Sequence, residues 1–324
     1  MKRWKKILIG VVIGLVVLGV VKNTVVKAMV QSGATFVTGA PVKIGSLAVG
    51  VFRTRVVMKD FQMYNPKGFP KAVMVDIPLI RVEYDLGALF RGEVHLQEVT
   101  LYLKEVVLYK NKEGQLNVDA LKVAQQKPKA EEKPAAKKAP PSKSMPMRMD
   151  EVNLSLGKVI VKDYSVEGPL QVLAYPIGVE NKTFRNINSP DELVTLVLLQ
   201  SMGPTALKSA GLYAAATVLG VAFLPAGVAG VLLGNDSATE TFRANYDKAY
   251  EQAKNFLSQN GEVVKEDPEQ GLLQAKVRGS DLTLTFAAVG ERDVEITAKA
   301  RKMMLPKAEV AAGVLYQLGE LLER

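Results

Sequence analysis

Val73-Met74-Val75-Asp76-Ile77-Pro78-Leu79 and, twenty residues on, Val99-Thr100-Leu101-Tyr102-Leu103 decide how this chain is read. In each stretch apolar residues recur at every second position, Val73, Val75, Ile77 and Leu79 in the first and Val99, Leu101 and Leu103 in the second. Period two means a strand with one buried face. The two sets together predict one apolar face of a sheet. Between the flanking strands, Asn65-Pro66-Lys67-Gly68 supplies a turn, because Pro fixes φ and Gly accepts φ > 0. Strands are predicted near 42–52, 54–64, 73–85, 92–103 and 105–111, with a short helical turn at Leu86–Phe90. With no long helix between them, these strands imply an antiparallel meander.

Upstream, Lys2-Arg3-Trp4-Lys5-Lys6 precedes Ile7–Val21, a run without a polar side chain. Ile7, Leu8, Val12, Leu15, Val16, Leu18 and Val21 are the expected membrane-anchor residues. The run is short for a span of about 20 residues, so Trp4 is placed at the interface and Lys22 is expected to snorkel from the far end. The basic flank keeps the N-terminus in the cytoplasm and exports the rest. The expected topology is therefore single-pass, with the bulk of the chain outside the cytoplasm. A cleaved signal peptide with a site after Ala28 or Ala34 is the alternative. Val25, Val26, Met29 and Val30 carry the apolar pattern past Ala28, which favours an uncleaved anchor.

Downstream, Gln125–Met149 is rich in Lys, Pro and Ala and reads as a solvated tether. The formal net charge is +9, and the N-terminal cluster together with the lysines of 122–143 accounts for all of it. A nucleic-acid-binding domain needs basic residues on a folded face, so nucleic acid is not an expected partner. The chain has no cysteine, which removes disulfides, thiolate chemistry and lipoprotein acylation. Strands resume at Val152–Leu156, Lys158–Tyr164 and Gln171–Val179. Ser189-Pro190-Asp191-Glu192 then starts a helix expected to end near Met202.

Ser209–Asn235 is uncharged and dominated by Gly and Ala, with Pro225 near its middle. Ala226, Gly230 and Gly234 recur at every fourth position, a small-residue packing pattern. Three readings stay open: a hairpin on or dipping into the membrane, a helix buried in protein, or a second span. Beyond it, Tyr246, Ala249, Tyr250, Ala253, Phe256 and Leu257 form one helix face, ended by Asn260-Gly261. Strands follow at Glu262–Lys265, Leu272–Val277, Leu282–Phe286 and Val294–Ala298. A last helix from Pro306 presents Val310, Val314, Leu318 and Leu321 or Leu322. The units are thus 1–30 anchor, 31–123 sheet, 124–149 linker, 150–204 continued sheet plus helix, 205–240 apolar segment and 241–324 a small α+β domain.

The run Leu86-Gly87-Ala88-Leu89-Phe90-Arg91-Gly92-Glu93-Val94-His95-Leu96, followed by Gly114-Gln115-Leu116-Asn117-Val118-Asp119-Ala120-Leu121, resembles the N-terminal region of the AsmA-like proteins. Leu154-Ser155-Leu156-Gly157-Lys158-Val159-Ile160-Val161-Lys162-Asp163-Tyr164 is similar to the strand that reopens the sheet in that family. The resemblance implies a fold related to the chorein and TamB group: a twisted, gutter-like antiparallel sheet with an apolar inner face. It also implies a bacterial inner-membrane location with the bulk in the periplasm, and phospholipid handling or envelope biogenesis with membrane lipid as partner. A trough of that kind stabilises an acyl chain by about 0.8 kcal/mol per buried CH₂. The plain alternative is that the apolar face is a protein core. Tyr246-Asp247-Lys248-Ala249-Tyr250-Glu251-Gln252-Ala253 and Gly261-Glu262-Val263-Val264 resemble a family of small bacterial envelope lipoproteins of unknown function.

His95, the one histidine, sits in a predicted strand, and a lone histidine is expected to be structural. With no second His and no Cys, a His/Cys metal cluster is excluded. No phosphate loop, nucleophile elbow or acid–base pair is legible. The expected protein is α+β, non-catalytic and without cofactor or metal. It either handles phospholipid or is a membrane-tethered adaptor that binds an envelope protein partner through its C-terminal domain.

Overall fold

The computed structural model describes residues 3–50, 54–125, 146–166, 171–203, 205, 207, 209–219, 236–290 and 292–323. The chain is α+β, with two mostly antiparallel sheets and, among the described residues, six α-helices. The helices are α1 (Arg3–Thr38), α2 (Leu86–Phe90), α3 (Pro190–Met202), α4 (Ala210–Leu219), α5 (Tyr246–Asn260) and α6 (Ala308–Leu322). The first sheet runs in chain order through β1 (Val42–Gly50), β2 (Arg55–Tyr64), β3 (Val73–Tyr84), β4 (Val94–Lys110), β5 (Met147–Asp163) and β6 (Gln171–Ile187).

This is not a pure meander. β4 and β5 pair in parallel, from Val94 opposite Met147 to Lys110 opposite Asp163. A parallel pair needs a crossover. Here the connection leaves β4 through two 3-10 turns (Asn117–Ala120 and Lys122–Gln125), and β5 begins with Met147 opposite Val94 at the start of β4. Leu116, Val118, Leu121 and Val123 of that crossover are buried against the sheet.

The predicted strand pairs 92–103 with 105–111, and 152–156 with 158–164, are single 17-residue strands. The reason is a crease across the sheet. Core-facing residues alternate, then skip a place: Ile44 to Leu47, Met58 to Phe61, Ile77 to Ile80, Leu103 to Val106 and Leu156 to Val159. The pairing register of β1 with β2 is the same on both sides, with Ile44 opposite Phe61 and Leu47 opposite Met58. β1, β2 and β3 change phase at facing residues, as do β4 and β5, and the two sets are offset where the β3–β4 pairing is interrupted between Asp76 and Leu79. Gly157 lies on this line, and a Cβ there would meet the Lys104 carbonyl oxygen at 2.8 Å. β6 follows the change by register shifts beside Gly178 and Asn181, both at positive φ.

Helix α1 seals the free edge of β1. Lys22 Nζ donates to Val49 O (2.6 Å), Val49 N donates to Asn23 Oδ1 (3.0 Å) and Lys27 Nζ donates to Gly45 O (2.8 Å). Further along, Gln31 Nε2 donates to Val42 O (3.4 Å) and Val42 N donates to Thr35 Oγ1 (3.2 Å). These side chains are spaced by about one helical turn, so one stripe of α1 follows the strand. Lys22 is thus a sheet contact rather than the snorkelling end of a span. Val26, Val30 and Ala34 pack on the core, while Val21, Val25, Met29 and Phe36 point outward.

Among the described residues no helix is long and apolar enough to cross a membrane. Of the expected anchor residues, Ile7, Leu8, Val12, Leu15, Val16 and Leu18 belong to the part of α1 whose side chains lie outside the described set. Val21 is 52% exposed. Of the apolar segment 209–235, α4 covers Ala210–Leu219. Pro225, Ala226, Gly230 and Gly234 lie outside the described residues.

The second sheet has the order β8 (Glu262–Asp267), β9 (Leu272–Val277), β10 (Ser280–Ala288) and β11 (Val294–Lys302), with β12 (Leu305–Pro306) and β7 (Ser237–Phe242) both on the outer edge of β11. β7 and β12 were not legible as strands. Ala249, Tyr250, Ala253, Phe256 and Leu257 of α5 and Val314, Leu318 and Leu322 of α6 fill its core. Leu322, not Leu321, faces inward.

Candidate functional site

The face predicted from Val73, Val75, Ile77, Leu79, Val99, Leu101 and Leu103 is the natural place to look for a site. Val75, Ile77, Val99, Leu101 and Leu103 share one core, each 7% exposed or less. Leu79 and Val73 are not part of it. Beyond the crease Ile80 takes the core position, and Leu79 is half-buried on β3. A constant period across Pro78 therefore misplaces the end of the face.

That face is covered by the chain itself. Leu196, Leu198, Leu199 and Met202 of α3, Leu212, Ala215 and Ala216 of α4, the crossover turns and the inner side of α1 all pack into the same cluster. α3 starts where its sequence predicts: Glu192 N donates to Ser189 Oγ (3.1 Å), and Glu192 Oε2 accepts from Asn188 N (2.7 Å). Three recesses of about 220, 240 and 550 Å³ lie elsewhere, and Val99, Leu101 and Leu103 line none of them.

The segment Leu116-Asn117-Val118-Asp119 fixes the cover. Asn117 is fully buried. Its Nδ2 donates to Asn65 Oδ1 (2.8 Å) and Val107 O (2.9 Å), and its Oδ1 accepts from Tyr109 N (3.0 Å). Asn65 in turn donates to Pro70 O (3.0 Å), which ties the β2–β3 turn to the same knot. Asp119 accepts from the hydroxyl of buried Ser209, which caps α4 by accepting from Leu212 N (3.1 Å). Asn117 is a pin inside the core, where unmade hydrogen bonds are costly, and half-buried Asp119 pins the start of α4 at its margin.

His95 lies at the end of the β4–β5 pair. Its Nε2 is 2.6 Å from Asp150 Oδ2, and its Nδ1 is 3.6 Å from Asp85 Oδ2. Arg148 Nη2 also lies 3.0 Å from Nε2, but one nitrogen cannot both donate to Asp150 and accept from Arg148. Arg148 is held instead by Asp150 Oδ1 (2.9 Å). The His95 hydrogen bond keeps the Asp150 carboxyl below the usual carboxylate range. Asp85 caps α2, and the Ala88 N–H lowers its carboxyl in the same sense. The cluster ties the α2 turn to the first residues of β5. Among the described residues no group of His, Asp and Glu has the arrangement of a metal site.

The opposite face of the sheet receives the second domain. Val107, Tyr109, Ile160, Val172 and Ala174 form a small core with Ala312 and Tyr316 of α6. Lys162 Nζ is 3.0 Å from Glu320 Oε1, and Lys158 Nζ is 3.8 Å from Glu240 Oε1. Both ammonium groups lie over the Tyr316 ring, at 5.2 Å for Lys158 and 5.1 Å for Lys162. Burial pushes the Tyr109 hydroxyl up to about 12, and raises Tyr316 and the nearby Glu105 carboxyl as well. α6 passes so close to β6 that a Cβ on Gly313 would lie 2.2 Å from Val172 O. Sequence reasoning missed this dock. The one legible signal was the small residue within an otherwise strong helix.

No family model, no curated protein and no solved structure matches this chain.

Proposed function

We propose that the chain is a non-catalytic, membrane-tethered envelope scaffold related to the AsmA-like proteins, which holds its C-terminal α+β domain for a partner. The observation that carries this reading is the covered sheet face. Leu101, Leu103, Leu154 and Leu156 are packed by α3, α4 and the crossover, so the long sheet works as a rigid support. The dock through α6, Lys162 and Glu320 supports the same reading, because it holds the second domain in one orientation. The tether is Ile7–Val21 behind its basic flank.

A second reading, phospholipid handling, has one observation in its favour: the apolar face is continuous across all six strands. It requires α3 and α4 to leave that face. Native mass spectrometry with lipid extraction separates the two, run on the full chain and on a chain beginning at Val21. The scaffold predicts stoichiometric phospholipid on the full chain alone. Phospholipid retained at one or more per chain by both, and photo-crosslinked to β4 or β5, would sink the scaffold and assign the sheet to lipid.

A further inference from the structure

Two tight turns of the second domain stand side by side, and each breaks the usual rule for its type. The β9–β10 turn is Arg278-Gly279 and the β11–β12 turn is Met303-Met304. Both are two-residue hairpin loops with positive φ at both central positions: 54° and 73° in the first, 50° and 66° in the second. Asn-Gly or Asp-Gly is the usual choice there, since a Cβ disfavours this region. Arg and two methionines are therefore kept against a local cost, and strain of that kind concentrates at functional positions.

Their side chains have complementary oddities. Arg278 Nε and Nη2 are buried, and among the described residues neither has a hydrogen-bond partner. The guanidinium lines a recess of about 240 Å³ with Lys302, Lys307, Ser280 and Glu309. Lys307 is 3.5 Å from Glu309, and among the described residues Arg278 and Lys302 have no carboxylate within 4.0 Å. Lys307 also begins α6, whose first turn has no side-chain cap, so the helix start adds positive potential. Immediately outside this recess Met303 and Met304 are each 88% exposed, and Leu305 is 64% exposed. A recess with unpaired guanidinium donors takes a phosphate oxygen. Three consecutive exposed apolar residues beside it take an acyl surface.

We propose that this corner of the C-terminal domain is a phospholipid-surface site. The anionic phosphodiester of a headgroup enters the recess between Arg278, Lys302 and Lys307, and Met303, Met304 and Leu305 insert among the acyl chains. Charge complementarity with an anionic bilayer fixes the occupant, because net positive charge surrounds the apolar tip. The recess is also lined by Gln171 and Leu173 of β6, so the site lies where the C-terminal domain meets the long sheet and is separate from the N-terminal tether. It gives the domain a membrane contact of its own.

The absence of cysteine makes the test direct. The full chain carries a single environment-sensitive dye on Met304→Cys, on Val289→Cys at the opposite hairpin end as a control, or on Val12→Cys to read the tether separately. Each labelled protein is mixed with phosphatidylglycerol/phosphatidylethanolamine vesicles and with phosphatidylcholine vesicles. The expected result is a blue shift at position 304, but not 289, on the anionic vesicles. Arg278→Gln and Lys302→Gln should each weaken it about fivefold, the value of one charge near an anionic surface. Melting curves confirm that both variants fold, and removal of an unpaired buried charge should not lower the Arg278→Gln transition. A dye at 304 that stays in water while the dye at 12 is buried overturns the proposal. So does insertion of equal strength in both vesicle types that Arg278→Gln leaves unchanged. A buried dye at 304 with an aqueous dye at 12 supports it and removes the tether instead.

Discussion

Replacing Gly313 with Ala tests whether the second domain is held by close packing or merely rests against the long sheet. A methyl group there would lie 2.2 Å from Val172 O, 2.9 Å from its carbonyl carbon and 3.1 Å from Leu173 Cα. A comfortable C···O contact is about 3.3–3.6 Å, so α6 must withdraw by roughly 1 Å. That movement pulls Tyr316 from beneath Lys158 and Lys162 and stretches the Lys162–Glu320 pair from 3.0 Å. Overpacking of this kind costs about 1–3 kcal/mol. Against it stands a gain of about 1 kcal/mol, because Ala is the better helix former. The second core, filled by Ala311, Val314, Leu315 and Leu318 on the other side of α6, is untouched. The two effects therefore separate in space. Hydrogen exchange followed by mass spectrometry should show lost protection in β6 around Val172–Ala174, with protection in β9, β10 and β11 unchanged or higher. Gly319→Ala is the control. Its nearest neighbour is a side-chain atom, Phe242 Cε1 at 3.0 Å, and ring adjustment makes the change neutral or mildly stabilising. Unaltered protection of β6 in Gly313→Ala would refute the close-packed dock.

Leu101→Ala should destabilise the chain by about 2–5 kcal/mol in thermal or denaturant unfolding, as expected for a core leucine under a helical cover. A change under about 1 kcal/mol would mean that the face is open. Asn117→Ala should cost about 2–3 kcal/mol, since it takes the Asn117 hydrogen bonds from Val107 O, Tyr109 N and Asn65 Oδ1 in a buried site. Asn117→Asp, which cannot donate, should be no better. Alkaline pH should unfold the protein early. Burial holds Tyr109 and Tyr175 up to about 12, and Tyr316 is raised too. Between pH 10 and 12 the folded chain thus keeps protons that the unfolded chain releases. Stability is full below about pH 10 and falls as pH rises, by up to about 1.4 kcal/mol per pH unit for each tyrosine. Tyrosinate absorbance appearing together with loss of structure is the expected signature. Smooth titration of all ten tyrosines near 10 in a folded protein would contradict it.

Local features of this fold were legible because their causes are local. Ser189-Pro190-Asp191 carries its own cap and first turn, and Tyr246 to Leu257 carries a 3.6-residue period, so α3 and α5 fall where the residues place them. The long strands were visible as alternation but were cut at Lys104 and Gly157, because a change of phase reads in one dimension as a gap. Nothing near β4 or β5 encodes their parallel pairing. It depends on a crossover held by Asn117 and Asp119, whose partners Asn65 and Ser209 lie 52 and 90 positions away. The candidate face was legible in composition but not in occupancy, since an apolar strand face looks the same whether lipid or helix covers it. Lys22 read as the rim of an anchor, because the edge strand that consumes it begins only at Val42. The Met303-Met304 turn gave no signal, as methionine is not a turn residue.

The contacts between α1 and β1 also determine how large this object can become. An open strand edge invites another strand, from a copy of the same chain or from a different one. Here the Val49, Gly45 and Val42 backbone groups are already engaged by Lys22, Asn23, Lys27, Gln31 and Thr35. The helix that leads toward the proposed tether is thus also a terminator. It stops lateral growth of the sheet on that side, so a further strand could extend this sheet in one direction alone, past β6.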